Sequence, residues 1–213
     1  MTLIMDLVQY TADNWGYILA LTWDHILMVM VAVGLALIVG IPLGIISARF
    51  EKAAPVILNF ANFVQITPSL ALLAVMLLFF GLGFMAAVAA LFLYSLLPII
   101  RNTYVGLREV NPHLLEAGTG FGMTAFQLLT KVQLPLSFPF LMAGLRVASV
   151  IAVGVASIAP YVGADGLGEL IIAGISTQNT VKIYAGAIPA AMLAILADIF
   201  LGLTEKRAKR KTA

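Results

Sequence analysis

Residues 26–48 and 53–100 contain no Asp, Glu, Lys or Arg. A helix needs about 20 apolar residues to cross the hydrocarbon of a bilayer, so the first run is one crossing and the second is long enough for two. Gly81-Leu82-Gly83 supplies the turn between those two. Residues 134–164 form a third apolar region with Arg146 as its one charge, and residues 183–203 a fourth with Asp198 as its one charge. With 62% hydrophobic residues, 10% charged residues and a mean hydropathy of +1.06, the chain has more apolar surface than a water-soluble core can hide. Lipid offers no hydrogen bonds to the backbone, which leaves helices as the economical solution. The expected fold is an all-α integral membrane protein with crossings at about 25–49, 55–80, 84–104, 136–162 and 183–203.

Three regions follow from this reading. Residues 1–24 form an N-terminal interfacial segment on the outer side, 25–203 a single transmembrane domain with its main loop at 105–134, and 204–213 a basic tail. The first 25 residues carry Asp6, Asp13 and Asp24 but no Lys or Arg, and so lack the basic start of a cleavable signal peptide. Residues 3–21 read instead as a helix lying at the interface, with Trp15, Tyr17 and Trp23 at headgroup level.

Orientation comes from the basic residues. Arg49 and Lys52 follow the first crossing, Arg101, Arg108 and Lys131 accompany the end of the third, and Lys206, Arg207, Lys209, Arg210 and Lys211 follow the fifth. Lys182 alone falls on the opposite side. The positive-inside rule makes the basic side cytoplasmic, with the N-terminus outside and the C-terminus inside. The net charge of +2 conceals this asymmetry and offers no footprint for nucleic acid. Zero cysteines exclude disulfides, thiolate metal sites and cysteine nucleophiles.

The main loop carries the stretch "EAGTGFGMTAFQLLTKVQLP" at 116–135. Asn111-Pro112 is an N-cap followed by proline at the first helical position, which starts a short helix running to about Thr119. Gly120 and Gly122 break it. Thr124 with Gln127 three residues on fits a capping box, predicting a second short helix over 125–131 before Pro135 and Pro139 lead into the fourth crossing. Gly118, Gly120 and Gly122 bare the backbone, while Leu114, Leu115, Phe121, Met123 and Phe126 offer apolar contacts. Such a unit either docks in a cleft of a soluble partner or folds back on its own helix ends.

The stretch resembles the cytoplasmic "EAA loop" of permease subunits of bacterial ABC importers, whose pattern is E-A-A, three residues, G, nine residues, I, any residue, L-P. Here Glu116-Ala117-Gly118, Gly122, Val132, Leu134 and Pro135 stand at that spacing, with Gly for the third-position Ala and Val for Ile. "ANFVQITPSLALLAVML", "YSLLPIIRNTYVGLREVNP" and "YVGADGLGELIIAGI" are similar to the quaternary-amine branch, whose solutes are glycine betaine, carnitine and choline, although Asp165 departs from the branch's usual G-A-G-G-L-G. The resemblance implies a type I importer permease that pairs with a second, identical or paralogous permease subunit. It also implies cytoplasmic ABC ATPase subunits, which bind ATP and Mg2+, and an extracellular substrate-binding protein that delivers the solute. Glu116, Ala117, Gly118, Gly122, Leu114, Leu115, Phe121 and Met123 would belong to the ATPase-coupling unit. No catalytic residue and no cofactor of its own is implied for this chain.

Inside the membrane, Asn59, Asn62 and Gln65 recur every three residues on one face of the second crossing, ahead of a kink at Thr67-Pro68-Ser69. They either wall a translocation path or hydrogen-bond a neighbouring helix. Arg146 and Asp198 both lie in the inner half of their crossings, where they either pair or reach for the inner surface. His25 and His113 stand alone at expected helix edges, and the nine methionines are scattered, so no metal site is expected. Tyr94, Tyr104 and Tyr161 do not share a spacing that would build an aromatic cage for a quaternary ammonium. Recognition then falls to the separate binding protein, for which Asp165 and Glu169 in the outer loop are candidate contacts, beside a short helix over 170–175.

An ion-coupled secondary transporter is the main rival reading. It would carry intramembrane acids at broken helices and internal repeats, whereas the first three crossings hold no charge and no inverted repeat is found. An intramembrane enzyme lacks support, because the chain has no H-E-x-x-H or G-x-S-x-G and no lysine following a glycine as a P-loop requires.

Overall fold

The computed structural model describes residues 3–212, with side chains as far as Arg210; Met1, Thr2 and Ala213, which belong to the expected N-terminal segment and basic tail, lie outside the described residues. Every regular element among the described residues is helical. In order these are α1 (Leu3–Asp13), α2 (Trp15–Arg49), α3 (Ala53–Ile66), α4 (Ser69–Phe80), α5 (Phe84–Arg108), α6 (Pro112–Gly120), α7 (Ala125–Leu128), α8 (Leu134–Ala156), α9 (Gly168–Ser176) and α10 (Thr180–Thr212). A π-helical turn, Leu129–Gln133, joins α7 to α8, and a 3-10 turn, Ala159–Val162, follows α8.

Four long apolar helices and one bent pair make up the membrane part. The boundary expected at residue 24 is absent, because α2 runs unbroken for 35 residues, about 52 Å of rise, from Trp15 to Arg49. The break falls at Asn14, between α1 and α2. His25, expected at a helix edge, is instead fully buried, and its Nε2 donates to the Val153 carbonyl at 3.1 Å. That contact lets Asp24-His25 sit within the helix. The boundary expected at residue 203 is also absent. α10 continues to Thr212, because Glu, Lys, Arg and Ala are good helix formers and Glu205 pairs with Lys209 one turn on, at 2.7 Å.

The second crossing is not one rod. α3 and α4 meet at 104° around Thr67-Pro68. Thr67 is extended, as a residue before proline prefers, Pro68 has no N–H to continue the ladder, and the Tyr94 hydroxyl takes up the orphaned Thr67 carbonyl. The pair nevertheless reaches both ends of the bundle. α3 starts just after Arg49 at the basic end, and the turn after α4 is tied to the far end of α8 by a 2.7 Å bond from Gly83 N–H to the Val162 carbonyl. In that turn Gly81 and Gly83 take φ of 73° and 111°, which side chains strongly disfavour.

α5 is the axis of the bundle, packed by α2, α8, α3 and α4. Small residues let the helices close up, since lipid tails supply no hydrophobic drive between them. A Cβ on Gly44 of α2 would come within 2.5 Å of Thr103 on α5, and one on Gly144 of α8 within 2.9 Å of the Pro98 carbonyl. The Ser137 hydroxyl adds a 2.7 Å bond across α5 and α8 to the Gly106 carbonyl. At the other end, Ile18, Leu21, Leu167, Leu170, Ala185 and Ala190 form a separate cluster that holds α9 beneath the start of α10.

Candidate coupling loop and transport path

The loop between α5 and α8 is built from caps. Asn111 Oδ1 accepts the His113 N–H at 2.9 Å, with Pro112 opening α6. Thr124 and Gln127 form the reciprocal capping box that opens α7, at 3.3 and 2.8 Å. Between them the chain reverses at Gly122, whose φ of 78° is the left-handed conformation that glycine tolerates best. Bonds from Phe121 N–H to Ala117, Gly122 N–H to Thr119 and Met123 N–H to Gly118 close the elbow. The second helix does not stop at residue 131 as the spacing predicts. It runs through the π-helical turn into α8, giving one helical stretch from Ala125 to Ala156.

The structure divides the expected coupling residues into two sets. Gly118 is buried, and a Cβ there would lie 2.6 Å from Leu128 Cδ2 and 3.1 Å from Met123 Sδ. Gly118 thus lies inside the loop's own packing, against the ends of two flexible side chains. Leu115 and Met123 are half-buried on the same inner side. Phe121 is 89% exposed, Phe126 71% and Leu114 48%, and these three face outward with Glu116 and Ala117. Glu116 lies 3.5 Å from His113 Nδ1 on the same face of α6. Open space surrounds Gly120 and Gly122. One side of the loop is therefore folded back on its own helices, and the other is bare. Arg49, which the sequence marks only as a basic residue setting orientation, fastens the unit to α2 by donating to the Ala125 carbonyl at 2.8 Å.

On α3, Asn59 and Asn62 are exposed and Gln65 is half-exposed, and none of the three side chains hydrogen-bonds among the described residues. Helix-to-helix hydrogen bonding inside one chain is not what these amides do. They share their face with the exposed Phe63 and Ile66. Tyr94 is buried behind the bend and Tyr161 exposed at the far end, so these two tyrosines build no common cage.

Arg146 and Asp198 find each other. Arg146 Nε and Nη2 donate to the two carboxylate oxygens of Asp198 at 2.6 and 2.8 Å, a bidentate bridge between α8 and α10. Glu205 extends it, accepting from Arg146 Nη1 at 3.4 Å and from Lys209 at 2.7 Å. Sequence reading missed Glu205 by placing it in a tail. The signal was present, because Asp198, Gly202, Glu205 and Lys209 recur at one helical face. Gly202 leaves room for the guanidinium, whose Cζ would be 3.2 Å from a Cβ there.

At the end opposite the basic one, Asp165 is exposed, whereas Glu169 is half-buried and accepts the Tyr17 hydroxyl at 2.6 Å. The expected short helix is present as α9. No group of three or more His, Cys, Asp or Glu side chains is placed to hold a metal among the described residues.

A bundle of this order, with a capped elbow projecting from its basic end, matches a known family. Residues 40–210 fit the family described as the binding-protein-dependent transport system inner membrane component, and the chain belongs to that family. Among its relatives are a carnitine transport permease protein of Listeria monocytogenes, 46% identical over 97% of this chain and 93% of that protein, and a glycine betaine/carnitine/choline transport system permease protein of Bacillus subtilis, 46% identical over 97% of this chain and 90% of that protein. An osmoprotectant import permease protein of Salmonella typhimurium is 43% identical over 92% of this chain and 94% of that protein. In fold the chain is similar to a subunit in an inward-facing MetNI methionine ABC transporter, at a TM-score of 0.81, 22% identity and coverage of 90% of this chain and 95% of that one. The protein is a multi-pass membrane permease of an ABC importer, and the reading as a secondary transporter falls away.

Proposed function

We propose that this chain forms the membrane path for a quaternary-amine osmoprotectant, with glycine betaine, carnitine or choline as the solute. The observation that carries the mechanism is the loop: a rigid, capped elbow that shows Phe121, Phe126, Leu114 and Glu116 to solvent at the basic end. The basic end is cytoplasmic, the N-terminus is outside and the C-terminus inside. A cytoplasmic ABC ATPase receives the elbow in a cleft, binds ATP and Mg2+ and performs the hydrolysis. This chain contributes no catalytic group. Because α7 is continuous with α8 and Arg49 ties the elbow to α2, displacement of the loop by the ATPase moves two crossings together.

A second permease subunit, identical or paralogous, covers α3. Exposed amides are costly against hydrocarbon, so Asn59 and Asn62, with Gln65 beside them, face the water-filled seam between the two subunits and wall the path. An extracellular binding protein selects the solute and docks at the end bearing Asp165. Supporting this reading are the names of the relatives. Purification of the chain from its native membrane, followed by reconstitution, tests it. An ATPase and a binding protein should accompany the chain or restore function on addition, and uptake of labelled glycine betaine, carnitine or choline should require ATP inside the vesicle and survive a proton ionophore. Uptake that needs only an ion gradient would contradict the proposal.

A further inference from the structure

At the basic end a cavity of about 810 Å³ opens between α2, α8 and α10. Its walls include Ile41 of α2, Leu134, Phe138 and Leu141 of α8, and Thr204 and Arg207 of α10. The α8 wall with the π turn before it extends from Thr130 to Leu141, about 16 Å of rise, which is close to half of the ~30 Å hydrocarbon core. Phe138 is 50% exposed although it sits in a crossing helix. The cavity is thus a largely apolar slot with a cation among its lining residues.

Arg207 is exposed and makes no ion pair or hydrogen bond among the described residues. The nearest acid on its helix, Glu205, is already held by Arg146 and Lys209. The Thr130 and Thr204 hydroxyls spend their protons on the Phe126 and Leu201 carbonyls, so neither donates into the cavity. Lys131, Lys206 and Arg210 are exposed and neighbour the lining residues Thr130 and Arg207 in sequence, adding positive charge at this end. What fits is an anion carried on an apolar chain.

We propose that this slot binds an anionic phospholipid of the leaflet at the basic end, its phosphate on Arg207 and one acyl chain along Phe138 and Leu141. A phosphate matches the guanidinium fork, and the neighbouring lysine and arginine charge favours a headgroup of net negative charge over a zwitterionic one. The slot is lined along α8 by Leu134, Phe138 and Leu141, a wall an acyl chain can follow, and these apolar side chains give a free phosphate nothing to bind.

The unmodified protein in its purified complex, reconstituted with a trace of phosphatidylglycerol carrying a photoactivatable group in the acyl chain, tests the assignment. Irradiation and peptide mapping should label residues 134–141, and unlabelled phosphatidylglycerol should displace that label while phosphatidylcholine of the same chains does not. The exposed apolar face of α10 at 195–203 serves as an internal reference for ordinary surrounding lipid. Arg207→Gln should lower labelling at 134–141 roughly fivefold relative to 195–203, the loss expected for one basic residue near a membrane surface. Equal displacement by the two lipids, or an unchanged ratio in Arg207→Gln, would reduce the slot to ordinary boundary lipid and overturn the proposal. Absence of label at 134–141 with label present at 195–203 would mean that a protein subunit covers the slot, and would overturn it equally.

Discussion

α5 and α10 are both apolar enough to span a bilayer, yet they live in different surroundings. In the most apolar window of each, 67% of α5 is buried inside the chain and 17% of α10. α5 touches nearly every other crossing and carries fully buried Ser95 and Thr103, whereas α10 turns Ile195, Leu196, Ile199 and Phe200 outward. Apolar content places a helix in the membrane without saying whether its neighbour is protein or lipid. Small residues report protein contact better. Gly44, Gly106 and Gly144 mark the seams around α5, while the outward face of α10 is built of large side chains.

The comparison can be attacked first at the seam. Gly44→Val would force a side chain into Thr103 and the Ile100 carbonyl, where backbone cannot yield. The expected cost is at least ~3 kcal/mol, at the upper end for overpacking. Most of the protein should be lost from the monodisperse fraction after detergent extraction. A normal yield and melting temperature would show that the α2–α5 contact is looser than described.

Next is the charged link that holds α10 to α8, the helix through which it reaches α5. Arg146→Ala leaves Asp198 without its bidentate partner. With 36% of the Arg146 and 44% of the Asp198 side chain exposed, the loss is smaller than for a fully buried pair. Thermal unfolding of Arg146→Ala, Asp198→Ala and the double variant should give strongly non-additive losses, the second substitution adding little. Additive losses would mean that the two side chains do not act as a pair.

Smallest should be substitution on the outward face of α10. Leu196→Ala and Ile199→Ala exchange lipid contact for lipid contact and should each shift stability by no more than ~0.5 kcal/mol. A loss several times larger, measured on the assembled transporter, would show that α10 is covered by another subunit and would sharpen the contrast with α5 into one between two protein interfaces.

Much of this arrangement is readable in the residues, and the parts that are not have physical reasons. The caps at Asn111-Pro112 and Thr124-Gln127 are local, and local hydrogen bonds are what sequence spacing encodes. The turn at Gly81-Leu82-Gly83 is readable for the same reason. Thr67-Pro68 announces a break but not an angle, because the bend depends on Tyr94, 27 residues away, reaching the Thr67 carbonyl. Asp24-His25 suggests a helix edge because burial of a histidine is invisible until Val153 is placed beside it. Glu205 is hidden by the basic residues around it, and only the helical continuation of α10 brings it under Arg146. Gly118 looks like one of three equivalent glycines, yet the fold separates it from Gly120 and Gly122 by packing Leu128 against it.

The proposed role of the elbow in driving transport turns on Gly122, and one substitution isolates it. Gly122 has a left-handed backbone and open space around it, so Gly122→Val strains the turn, by at least ~1–2 kcal/mol for a side chain there, without touching the bundle. In proteoliposomes holding the complete importer, the variant should insert at normal levels. It should nevertheless lose at least about 90% of both osmoprotectant-stimulated ATP hydrolysis and uptake, a ~1.4 kcal/mol defect in coupling. Glu116→Ala, which removes only an exposed charge, should show a milder loss of ATPase attachment. Full stimulated hydrolysis and full uptake in Gly122→Val would contradict the account and reduce the loop to a connector.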